Sequence, residues 1–189
     1  MQMDDLFMKA CKNNQKGVIQ TFLKKGGINV DKRDENGCTP LHYACQKGSR
    51  DIVRLLLENG ADVTMETNLM LAQTLPYGEA VDVTMELLDK GVDVNNTDNA
   101  GNTLLHIHLD RVCNKDAVKE IIKAGADVNV KNNAGNTPLH IAVKNGNDMV
   151  ARLLIKNGAD YKTPNGNGET AIDIAVAKGM ETVLELMEF

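Results

Sequence analysis

Stacked pairs of short antiparallel α-helices with protruding β-hairpin fingers, an all-α solenoid, are what this sequence predicts. Three observations carry the prediction. A helix-start motif recurs as Thr39-Pro40-Leu41-His42, Thr103-Leu104-Leu105-His106 and Thr137-Pro138-Leu139-His140, with a weaker echo at Thr170-Ala171-Ile172-Asp173. A closing glycine recurs in Gly60-Ala61-Asp62, Gly91-Val92-Asp93, Gly125-Ala126-Asp127 and Gly158-Ala159-Asp160, at steps of 31, 34 and 33 residues. Between start and close lie two apolar stripes at helical spacing, as in Leu139, Ala142 and Val143 followed by Val150, Leu153 and Leu154.

Each element of the unit from Asn133 to Asp160 has a local cause. The Thr137 hydroxyl can accept an orphan backbone N–H at a helix start, and Pro138 has its φ pre-set for the first helical position. Gly146 separates the first helix from the second. Gly158 follows the last apolar turn, where glycine enters the left-handed region without a Cβ penalty. Two helices of about ten residues cannot bury both faces alone, so such units must stack on copies of themselves.

In chain order, six units start near Met1, Asp34, Thr67, Asp98, Lys131 and Pro164, forming one domain over residues 1–189. The first, 1–33, lacks the start motif and is expected to be a cap. Its stripes are Leu6, Phe7, Ala10 and Cys11, then Val18, Ile19, Phe22 and Leu23, with Lys9, Lys12 and Lys16 in a solvated outer role. The second, 34–66, is regular. The third, 67–97, is degenerate: nine residues separate Gly60 from Leu69, against fourteen from Gly91 to Leu105, and Gln73 to Gly78 lengthen the connection between its helices. The fourth, 98–130, recovers the finger, the fifth, 131–163, is regular, and the sixth, 164–189, closes on Val183, Leu186, Met187 and Phe189.

The period and the wording of these motifs resemble the ankyrin repeat, over essentially the whole chain. The resemblance implies a non-catalytic module that binds another protein through its concave face and hairpin tips, as adaptor, inhibitor or scaffold. It also gives the motif histidines His42, His106 and His140 a structural, hydrogen-bonding role.

Composition narrows the remaining classes. Aromatic residues make up 3% of the chain and Trp is absent, so the core must be Leu, Ile, Val, Ala and Met. The four cysteines, Cys11, Cys38, Cys45 and Cys113, show no close paired spacing and follow no signal peptide, which points to a reducing, cytoplasmic or otherwise intracellular setting, the nucleus included, with a secreted effector left open. No apolar run is long enough to cross a bilayer. The net charge of −5 is concentrated in residues 67–130, which hold five Lys/Arg against ten Asp/Glu. A concentrated basic face is missing, so nucleic acid is not an expected ligand.

Catalytic signatures are also missing: the chain has no nucleophile elbow, phosphate loop, Cys-x-x-Cys or His-Glu-x-x-His. Neither an enzyme nor a cofactor is expected. His108 stands out, because the slot it fills is Ala44, Ala72, Ala142 and Ala175 in the other units. A ring in a slot built for a methyl group overpacks unless its surroundings adjust, and the degenerate third unit is the expected compensation. A metal or enzymatic site centred on His106, His108 and Cys113 is the rival reading. Two rings two positions apart on a helix point to different faces, which weighs against it.

Function then rests on residues that the repeat leaves free. These are Arg33, Glu35, Asn36, Gln46 and Lys47; Asn99, Asn102, Asp110 and Arg111; and Asn133, Asn136, Lys144 and Asn145, together with Tyr77 in the long connection of the third unit. Tyr43 shares its slot with Leu71, Ile107, Ile141 and Ile174 and is expected in packing between repeats. By resemblance, Asn95 and Asn129 are candidate hydroxylation positions, Asn95 with Leu87 eight residues before it and Asn129 with Ile121. The expected partner is another protein and the expected state a monomer. A place within a larger regulatory or effector chain is the alternative, against which the capped character of both ends is set.

Overall fold

The computed structural model describes residues 2–62, 84–85, 88–89, 91, 93–111 and 114–187. Most of the third unit, including Tyr77, lies outside the described residues, as do Cys113 and Phe189. The chain divides into two compact units, Met1–Val92 and Asp93–Phe189.

Unit 1 contains helices α1 (Met3–Lys12), α2 (Lys16–Lys25), α3 (Pro40–Gln46) and α4 (Arg50–Glu58). Helix α1 packs on α2 and α3 on α4 as antiparallel pairs, while α1 stacks on α3 and α2 on α4. Phe7, Ala10, Cys11, Ile19, Leu41, Ala44, Ile52, Val53 and Leu56 fill the space between them and are essentially inaccessible. The expected stripe of the first helix is rotated by one position. Met8 is buried, and Leu6 is 39% and Val18 43% exposed. Only Ile19 of the second stripe is fully covered, because α1 and α2 have neighbours on one flank and the other faces water.

Unit 2 repeats the plan with α5 (Leu104–Arg111), α6 (Lys115–Lys123), α7 (Pro138–Lys144), α8 (Asp148–Lys156), α9 (Ala171–Ala177) and α10 (Glu181–Leu184). The inner helices α5, α7 and α9 form one layer and the outer helices α6, α8 and α10 a second. Leu105, Leu109, Val118, Ile121, Leu139, Ala142, Val143, Ala151, Leu154, Ala171 and Ala175 make the shared core. Burying such a side chain stabilises by roughly 1.5–3 kcal/mol, and the small alanines let facing helices approach closely.

Fingers precede α3, α5, α7 and α9. Among the described residues they contain no strand, and each is a tight turn built the same way. An Asp or Asn side chain at the first position (Asp34, Asp98, Asn132, Asn165) accepts the N–H groups of the residues two and four positions later. The fourth position is glycine with φ of 74–81°. At Gly135 this freedom is doubly required, since a Cβ would meet the Gly166 backbone nitrogen of the next finger at 2.4 Å.

Candidate protein-binding surface

The motif histidines are built into the helix starts. The Thr103 N–H donates to Nδ1 of His106 at 3.2 Å and the Thr103 hydroxyl lies 2.8 Å from the same nitrogen. With Nδ1 accepting, the proton sits on Nε2, which donates to the Asn136 carbonyl of the next finger at 3.0 Å. Thr137 and His140 repeat the arrangement, with His140 Nε2 on the Glu169 carbonyl at 3.1 Å. Burial pushes both imidazoles below their ordinary range. In unit 1, Thr39 makes the same contacts to Nδ1 of His42.

His108 is different. The ring is fully buried, neither nitrogen has a hydrogen-bond partner among the described residues, and burial lowers its pKa from 6.5 to about 4. Both nitrogens of His106 are engaged, and among the described residues no three His, Cys, Asp or Glu side chains gather as metal ligands.

Several positions expected to face a partner serve the stack as well. The Asn132 amide donates to Oδ1 of Asn102 at 2.8 Å, and the Asn165 amide to Oδ1 of Asn136 at 3.1 Å. Asn133 donates its amide to the Asn99 carbonyl and its backbone N–H to the Ala100 carbonyl. Asn145 reaches the Leu109 carbonyl of α5 at 3.0 Å. Asn95 and Asn129 form clasps: each amide donates to the glycine carbonyl one repeat on (Gly125, Gly158) and accepts the N–H of the aspartate two residues later (Asp127, Asp160). The helix pairs among the described residues were legible in sequence; this lateral amide ladder was not. Its signal was Asp or Asn at the first finger position and at the position after Asp-Val.

Charged groups remain on the finger side. In unit 1, Glu35, Gln46 and Lys47 are exposed, with no hydrogen bond or ion pair from their side chains among the described residues, and Arg33 donates to the Gly37 carbonyl. In unit 2, Asp110 and Lys144 are exposed and equally unpaired among the described residues; Arg111 ends α5, and its side chain is not described. Sequence reasoning missed the cluster beside them in unit 1. Lys12, expected on a solvated outer face, bridges to Asp34 at 2.7 Å and lies 4.8 Å from the Tyr43 ring centre, while the Tyr43 hydroxyl donates to Asp34 at 2.6 Å. Lys12 first, then Tyr43, holds Asp34 well below the usual carboxylate range. Lys12 and Asp34, together with Met8 and the Lys32–Asp5 pair at 2.6 Å, border a depression of about 280 Å³. Lys9 and Lys12 at i and i+3 on the helix facing the finger were the available signal.

The chain belongs to the ankyrin repeat family: the model for ankyrin repeats (3 copies) matches residues 3–67 and 109–188. This is a family of protein-interaction modules. An ankyrin repeat domain from Acinetobacter baumannii AYE superposes with a TM-score of 0.80 at 26% identity, over 95% of this chain and 94% of that one. A chain in the complex of a predatory endopeptidase from Bdellovibrio bacteriovorus with an immunity protein superposes with a TM-score of 0.72 at 27% identity, over 95% of each. In sequence, the chain is 33% identical over 101 residues to the E3 ubiquitin-protein ligase KEG of Arabidopsis thaliana, covering 51% of this chain and 6% of that protein. It is 38% identical over 87 residues to an ankyrin repeat protein of Fowlpox virus, covering 46% of this chain and 61% of that protein. No described helix is long and apolar enough to cross a membrane.

Proposed function

We propose that this protein is a non-catalytic adaptor, inhibitor or scaffold that binds one protein partner through its finger tips and the finger-side ends of its inner helices. The observation that carries the reading is the division of labour among polar groups. Asn side chains of the fingers and the motif histidines are spent on joining one repeat to the next, whereas Glu35, Gln46, Lys47, Asp110 and Lys144 stand exposed beside them with no partner among the described residues. Charged and polar groups so placed cost little in the free protein and gain most when a complementary surface removes water from around them. The occurrence of a similar fold in an endopeptidase complex with an immunity protein supports a partner of folded surface rather than a small molecule. Cys11 and Cys38 form no disulfide among the described residues, which supports an intracellular setting. A second reading, the interaction part of a larger regulatory or effector chain, draws on the 6% of the Arabidopsis ligase that the match spans.

The test is affinity for a partner identified by crosslinking and mass spectrometry from the native cell. Lys144→Glu and Asp110→Lys should each weaken binding about tenfold or more while leaving thermal unfolding unchanged. Wild-type affinity in both variants, as well as in Lys47→Glu, would remove the finger-side surface from consideration.

A further inference from the structure

The outer layer of unit 2 carries a groove of about 340 Å³ between α6 and α8, lined by Lys115, Met149, Arg152, Leu153 and Lys156. Met149, Arg152, Leu153 and Lys156 are spaced i, i+3, i+4 and i+7, so they form one outward stripe of α8. Met149 is 62% exposed, the most exposed of the large apolar side chains described. Packing does not demand it. The same repeat position is Gly17 in α2, Asp51 in α4, Asp116 in α6 and Thr182 in α10, none of them a large apolar side chain.

The unit 1 counterpart shows what the position ordinarily does. There Lys16, at the first position of α2, forms an ion pair with Asp51 of α4. In unit 2 the corresponding cation is Lys115, at the first position of α6, and the corresponding carboxylate has become Met149. Lys115, Arg152 and Lys156 consequently have no counter-ion among the described residues. Nearby carboxylates are either committed, Glu120 to Lys123 at 2.6 Å and Asp148 to the Thr182 hydroxyl at 2.7 Å, or outside the lining, as is Asp116.

We infer that this groove is a second docking site, for an acidic peptide segment bearing one aliphatic side chain. Its carboxylates pair with Lys115, Arg152 and Lys156, one of them taking the place that Asp51 fills beside Lys16. The aliphatic group covers Met149 and Leu153. A phosphate backbone fits less well: it offers nothing to the apolar floor, the lining has no aromatic side chain on which a base could stack, and the chain's net charge of −5 opposes a polyanion. The site lies on the opposite helix layer from the finger-side surface, so the two can be occupied independently.

The test titrates the purified 189-residue protein against a short fluorescein-labelled Asp/Glu peptide with one central leucine, with the amide shifts of the protein followed by NMR. Shifts confined to α6 and α8, binding weakened about fivefold without the leucine, and about tenfold by Met149→Asp or Arg152→Glu, are expected. Met149→Asp supplies the missing carboxylate internally and should pair with Lys115. A Lys-for-Glu peptide should bind the Lys115→Glu/Arg152→Glu protein better than wild type. The proposal fails if the acidic peptide does not bind, if Met149→Asp binds it as wild type does, if the shifts fall on the fingers, if an oligothymidylate binds more tightly than the peptide, or if the groove instead mediates self-association that Met149→Asp abolishes in sedimentation.

Discussion

Replacing His108 by leucine tests the energetics of the irregular slot in α5. The ring is 0% exposed and both nitrogens are without partners among the described residues, so the neutral imidazole holds one donor and one acceptor in desolvated surroundings. Each such group costs about 1–3 kcal/mol when left unmade. Leucine has a similar volume and no polar atoms, so His108→Leu should raise stability near neutral pH by about 2 kcal/mol. The pH dependence adds a second, signed expectation. The folded-state pKa is depressed from 6.5 to about 4, so between these values the unfolded chain binds the proton and the folded protein does not. Stability therefore falls as pH drops through this window, by about 3 kcal/mol over its full width, and the loss levels off below it. His106 and His140 are shifted in the same direction but are common to both proteins and cancel in the difference. Urea unfolding followed by far-UV circular dichroism, at a pH near 7.5 and again near 5, should show the advantage of leucine widening by about 2 kcal/mol. An advantage equal at both pH values, or a variant less stable than wild type at both, would refute the reasoning.

Two further expectations concern the amide clasps and the acid–base cluster. Asn129→Ala removes both bonds of a clasp and should lower stability by about 1–2 kcal/mol in urea titration, with Asn129→Asp falling between it and wild type because the carboxylate still accepts the Asp160 N–H but cannot donate to Gly158. Asp31 does this half of the work in unit 1, accepting the Asp62 N–H. Asp34→Asn should flatten the acid limb: a carboxylate held below its ordinary 3.8 contributes stability above that value and loses it as pH falls further, so the variant starts less stable and declines less in an acid titration followed by circular dichroism.

Helix starts were legible because their chemistry is local: a threonine three residues before a histidine caps a helix wherever it occurs. Helix faces were legible where a helix is packed on both flanks, as in α7 with Leu139, Ala142 and Val143. At α1 the same periodicity misplaced Leu6 and overlooked Met8, since a helix with one covered flank buries only part of an apolar stripe. Asn102, Asn136 and Asn145 read as surface residues because a polar side chain in a loop carries no mark of whether its partner is water or the next repeat. The partner of each lies 29 to 36 residues away, beyond any local pattern. Met149 escaped notice for the opposite reason: an apolar residue in an apolar helix looks ordinary until its exposure is known.

The imidazole and clasp bonds of unit 2 recur one period along, as when His106 reaches the Asn136 carbonyl and His140 the Glu169 carbonyl, or Asn95 reaches Gly125 and Asn129 Gly158. Translation by a period maps this wiring onto itself. Excising or duplicating a complete period between two regular copies therefore leaves matching edges to rejoin, with no motif imidazole or clasp amide orphaned at the seam. Length is thus an adjustable quantity in such an array, whereas a cut through the middle of a period would strand an imidazole and an amide at once.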